Sequence, residues 1–184
     1  AVVGATLLEL AEEHPNVWGL TADVGDPIAP FAARFPDRYI DVGVAEANLA
    51  GIAAGLALEG MIPFIAGMAP FVTMRALEQN RTDVCYQDLP VRFVGWGAGL
   101  VNAGGSTHNA MEDIALMKAL VNMTVLSIGD PNMIATLMRH SMTYEHPVYL
   151  RIGKGKADRM LYDPATTDTP IGTGLVARDG GAAT

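Results

Sequence analysis

Two periods alternate along the chain. Leu7, Leu8, Leu10 and Ala11 recur at helical spacing and predict a first helix, ended by His14-Pro15, because the residue before a proline is pushed out of the helical region. Short apolar runs at 17–20, 39–42, 62–66, 91–94, 124–127 and 148–152 predict buried strands. Between them, helical patterns cover 28–35, 45–58, 71–86, 109–120 and 132–143. Pro36 stops the second helix and Gly60 closes the third. Asp130-Pro131 supplies the capping and first-turn signal of the last.

Strands alternating with helices at this spacing predict an α/β fold, a doubly wound parallel sheet with helices on both faces. Ligands of such sheets sit beyond the carboxyl ends of the strands. That rule selects the loops 23–27, 43–46, 67–71, 95–108 and 153–156, which are the Gly-rich, polar stretches. The tail differs: 163–170 reads as a Thr/Asp/Pro-rich linker, and 171–178 as one last strand. The expected organisation is one domain over 1–160, then a linker and the start of a further domain over 161–184.

Composition narrows the function classes. The 184 residues are half hydrophobic and 17% charged, enough for one domain with its own core. Net charge is −8, and no Lys/Arg stripe is present to neutralise phosphates, so nucleic-acid binding is not expected. The single cysteine, Cys85, excludes an internal disulfide and a thiolate cluster, and fits a reducing cytoplasm. Apolar runs are short or interrupted by Glu, Gly or Pro, and the first residues carry no basic segment, so neither a membrane span nor a signal peptide is expected.

Glu46 carries the most information. It opens a segment of small apolar residues, Ala45 to Leu58, that has no polar face to give to water; such a helix is buried or packs against another chain. A carboxylate there gains from the helix dipole. From the residues alone, a capping glutamate and a buried proton-handling acid both remain open.

The wider segment, Asp41-Val42-Gly43-Val44-Ala45-Glu46-Ala47-Asn48-Leu49-Ala50-Gly51, resembles the glutamate segment of the transketolase family, especially its split, two-subunit members. The resemblance implies that the chain is the pyrimidine-binding domain of a thiamine diphosphate-dependent transferase. Glu46 would hydrogen-bond the cofactor's aminopyrimidine ring and so assist removal of the thiazolium C2 proton. A buried position suits that task, since burial disfavours the charged form of a carboxyl group.

Further segments match in order. Phe64 to Phe71 and Gln79 to Val84 resemble the stretch whose aromatic residues stack on the pyrimidine. Phe71 falls on one such aromatic, or is plain core, and Met68 falls where relatives carry a second aromatic ring. Gly105-Ser106-Thr107-His108 resembles a Gly-x-Thr-His substrate loop, which makes His108 the candidate for proton transfer or hydroxyl recognition. Glu112, four residues on, is positioned either to orient it or to be a surface acid. In Arg151-Ile152-Gly153-Lys154-Gly155-Lys156, Lys154 takes the place of a phosphate-binding basic residue; the alternative is a solvated loop. Asp23 matches an Asp near the cofactor, or makes an Asx turn with Gly25.

Departures from the family are as informative. Its usual substrate loop carries an acid where this chain has Gly104, and a histidine near Trp96-Gly97; both read sugar hydroxyls there. The Gly-Asp-Gly and Asn that hold diphosphate and Mg²⁺ or Ca²⁺ through oxygen ligands do not occur: Gly25-Asp26-Pro27 and Gly129-Asp130-Pro131 read as turns. A diphosphate-binding domain or subunit is therefore the expected partner, with a homodimer through the 45–58 helix and a sugar phosphate as the small molecule. The family's third domain would begin near Val176, so a fragment is expected. Two alternatives share the fold. One is a deoxyxylulose phosphate synthase, whose glutamate segment usually has His where Asn48 stands, or a 2-oxo acid dehydrogenase beta component, which is less similar in the 95–108 loop. The other is a non-catalytic assembly module.

Overall fold

The computed structural model describes residues 2–153, 168–173, 176, 180 and 181. Six strands form one sheet: β1 (Val17–Thr21), β2 (Tyr39–Asp41), β3 (Ile62–Met68), β4 (Arg92–Ala98), β5 (Thr124–Ile128) and β6 (Val148–Gly153). Their order is β2-β1-β3-β4-β6-β5 and every pairing is parallel. The six apolar runs up to 152 are thus all realised as strands, each starting within one residue of its run, and β4 extends four residues beyond its own.

Period-2 alternation within the strands divides the core in two. On one face Leu20, Ile65, Phe93 and Tyr149 pack against α3 (Glu46–Leu58) and α5 (Asp113–Lys118). On the other, Val17, Phe64, Val94 and Leu150 pack against α1 (Val2–Glu13), α2 (Ala29–Arg34) and α6 (Asn132–Ser141). Gly19 belongs to the second face, because a Cβ there would stand 2.7 Å from the ring of Phe31. Arg92 is fully buried at the start of β4, where its guanidinium donates to the carbonyls of Tyr144 and His146; burial lowers its pKa to about 10.

Three elements depart from the sequence reading. The expected long helix over 71–86 is one helical run, but π-helical turns at Phe71–Arg75 and Asn80–Cys85 flank a short α-turn, α4 (Leu77–Gln79). The helix expected from Asn109 begins only at Asp113, because 99–110 closes on itself instead. Ile171 and Gly172 lie in a turn, and most of the expected last strand falls outside the described residues. Among the described residues no helix is long and apolar enough to cross a membrane.

α3 is apolar all round but not buried all round. Leu49, Ala50, Ala53 and Ala57 face the core, while Leu58 is 61% exposed. Val44 just before it and Tyr86 beyond the neighbouring helical run are 68% and 80% exposed.

Candidate functional site

The sheet changes winding direction between β1 and β3, and the loops beyond these carboxyl ends bring three candidate residues together. Glu46 follows β2 and is 3% exposed in the first turn of α3. Phe71 follows β3, and His108 follows β4 on a 3₁₀ turn, Ser106–His108.

A residue the sequence reading passed over connects them. Arg75 lies one turn beyond Phe71, and its Nη1 donates to Glu46 Oε2 at 2.7 Å. Its guanidinium carbon stands 4.2 Å from the centroid of the Phe71 ring. His108 meets the same ring, its imidazole edge-on to Phe71 with ring centroids 5.2 Å apart. A carboxylate, a guanidinium, a phenyl ring and an imidazole therefore stand in series. The only sequence signal for Arg75 was its i, i+4 spacing from Phe71.

A cavity of about 710 Å³ opens beside this series, lined by Pro70, Phe71, Met74, Arg75, Thr107, Asn109 and Glu112 among others. Glu46 is not part of its wall; Arg75 is.

The 99–110 loop is a closed clip. Gly99 and Ala110 exchange backbone hydrogen bonds at 2.7 and 3.2 Å. Asn109 Oδ1 accepts from the Asn102 amide, Asn102 Oδ1 accepts from the Gly104 amide, and Asn109 Nδ2 donates to the Gly105 carbonyl. Gly105 takes φ +81° to make this path, a conformation that favours glycine. The clip presents His108, whose Nδ1 lies 2.9 Å from Thr107 Oγ1. Glu112 does not orient it: its carboxylate accepts from the Met111 amide.

Gly97 and Gly104 both have structural reasons. Gly97 sits at the β4 register shift with φ +70°, where a side chain is strained. Gly104 faces His108 so closely that a Cβ would lie 2.7 Å from the ring's Cγ.

The remaining candidates are more dispersed. Met68 is half-buried at the end of β3. Asp23 is exposed, with φ 60°, and no Asx turn to Gly25 forms; instead its amide, like that of Gly43, donates to Asp41 Oδ1 at 2.9 Å. Asp41 thereby ties the loops after β1 and β2 together. Lys154 lies outside the described residues. The two Gly-Asp-Pro segments are helix-entry turns: Asp26 opens a 3₁₀ turn, and Asp130 accepts the Asn132 amide before α6.

Asp113 also escaped the sequence reading. It is fully buried, and its Oδ2 accepts from Tyr149 Oη and from Arg151 Nε, both at 2.8 Å. Its Oδ1 is buried without a partner among the described residues. Burial first, then the Asp113 charge, pushes the Tyr149 phenol up. Gly95 leaves room for this contact, since a Cβ there would lie 2.8 Å from the Tyr149 ring. The cluster fastens the far end of the clip to β6.

The sequence matches the family described as transketolase, pyrimidine binding domain, over residues 1–159. Curated relatives include the 1-deoxy-D-xylulose-5-phosphate synthases of Heliobacterium modesticaldum, 35% identical, and Thermomicrobium roseum, 38% identical. Each similarity covers 97% of this chain, which spans only 28% and 29% of those relatives. Among solved structures, a split-gene transketolase in an inactive beta4 tetramer is 35% identical with a TM-score of 0.86, over 97% of this chain and 58% of that one. The transketolase of Campylobacter jejuni shares the fold, with a TM-score of 0.74 at 20% identity over 82% of this chain and 24% of its own.

Proposed function

Because the chain belongs to the transketolase pyrimidine-binding domain family, we propose that it is the pyrimidine-binding half of a thiamine diphosphate-dependent enzyme moving a two-carbon ketol unit between sugar phosphates. The observation that carries this reading is the buried Glu46 carboxylate, held at the carboxyl edge of the sheet and joined to the Phe71 ring through the Arg75 guanidinium. A flat guanidinium already contacts both groups, so a flat, nitrogen-edged aminopyrimidine fits the same pair.

The cofactor, when bound, supplies the carbon nucleophile. This chain's residues do the rest of what the reading requires here. Glu46 holds a proton at the ring nitrogen, and α3 withdraws that carboxylate from water. Phe71 and Met68 pack on the ring, and Asp23 borders it. His108 receives or gives a proton at a substrate hydroxyl, and Lys154 holds the substrate's phosphate. Mg²⁺ or Ca²⁺ and the diphosphate belong to a partner domain or subunit. A homodimer forms through α3, where exposed Leu58 at its last residue and exposed Val44 just before its first offer apolar surface to a second copy. The split-gene relative, inactive as a beta4 tetramer, supports a chain that self-associates and needs another component. The expected location is the cytoplasm.

A second reading has its own support: the synthases of 1-deoxy-D-xylulose 5-phosphate at 35–38% identity. Incubating the assembled enzyme with each substrate set separates them, by ketol transfer or by formation of deoxyxylulose phosphate. Calorimetry tests the shared premise. This chain alone should bind thiamine diphosphate with Mg²⁺ weakly and catalyse nothing; tight binding by the single chain would contradict the half-site.

A further inference from the structure

Glu46 can reach a ligand in the cavity only if Arg75 moves. The carboxylate is 3% exposed and absent from the cavity wall, whereas Arg75, 43% exposed, lines that wall and covers it. The same guanidinium occupies the Phe71 face. One side chain thus fills both contacts that the aminopyrimidine would make, a hydrogen bond to Glu46 Oε2 and a ring stack. Its fork is planar and delocalised, like the amidine edge of an aminopyrimidine.

We propose that Arg75 is a placeholder for the cofactor ring, a positioning residue that keeps Glu46 paired in the empty domain and is displaced when the ring enters. This rests on the reading that Glu46 binds the ring. A buried carboxylate without a partner is costly, so the empty site needs a cation. An exposed arginine on a long stem supplies one that can leave, and Glu112 in the same cavity wall is available to receive it. The consequence is a competition: the fraction of domains with Arg75 already displaced sets the apparent affinity.

The test uses the reconstituted complex stripped of cofactor, titrated with thiamine diphosphate and Mg²⁺. Arg75→Met keeps an apolar stem over Phe71 and removes the competing donor. Its dissociation constant should fall on the order of three- to tenfold, while the melting temperature drops for the empty complex and not for the loaded one. In a Glu46→Gln background the same substitution should change affinity less than about twofold, since the competition is gone. Arg75→Lys, which keeps charge without the fork, should shift affinity in the same direction and serves if the Met variant does not assemble. Unchanged or weakened binding in the Arg75 variants, or equal tightening in the Gln background, overturns the placeholder. Wild-type C2 proton exchange in Glu46→Gln overturns instead the reading of Glu46, whatever Arg75 does.

Discussion

A Cβ on Gly104 would stand 2.7 Å from Cγ and 3.0 Å from Nδ1 of His108, so the glycine and the imidazole share one space. Gly104→Ala should displace the ring from Phe71. Misplacing a catalytic group by about 1 Å costs up to roughly 10²-fold in rate. Steady-state kinetics of the assembled enzyme should show Gly104→Ala and His108→Ala with similar, non-additive losses. Melting temperature should hardly move, because the loop is exposed. Full activity in Gly104→Ala would remove His108 from the site.

Asp113 is a structural anchor with a large expected effect. Asp113→Asn leaves the half-buried Arg151 guanidinium uncompensated and presents an amide donor or a weaker acceptor to two donors. Breaking such a buried pair costs about 3–5 kcal/mol. Denaturant unfolding measures it, and a loss below about 1 kcal/mol would show that the cluster carries little.

Cys85 should be inert in the folded chain. It is fully buried, and burial, with the Asp88 charge second, pushes its thiol up to about 12. Since the thiolate is the reactive species, labelling near pH 8 should occur only on unfolding and track the unfolding curve. Stoichiometric labelling of the native protein would contradict the packing.

The short apolar runs revealed the six strands because the central ones alternate between two apolar layers, and burial on both faces leaves them little room for polar interruption. The π-turns in 71–85 were not legible, since their hydrogen bonds depend on what the run packs against rather than on residue type. Glu46, Phe71 and His108 were found through ordered motif segments, and the structure brings them to one edge. Arg75 was missed because an arginine on a helix reads as a solvated charge until its partner, 29 residues away in sequence, is placed. Asp113 was missed likewise: Tyr149 and Arg151 lie 36 and 38 residues from it. Spacing within one element predicts neighbours, while contacts across elements require the fold.

Glu46→Gln tests the account most directly. The variant keeps the side chain's size and one acceptor but cannot hold a proton at the ring nitrogen. It also releases Arg75, which at 43% exposure can turn to water, so the stability loss should be about 1 kcal/mol or less. General acid–base contributions are about 10²–10⁴-fold, and exchange of the cofactor's C2 proton in the reconstituted complex should slow by at least roughly 10² while the melting curve stays cooperative. Exchange at the wild-type rate, with the only change a lower melting temperature, would reduce Glu46 to a helix-capping acid and contradict the catalytic reading.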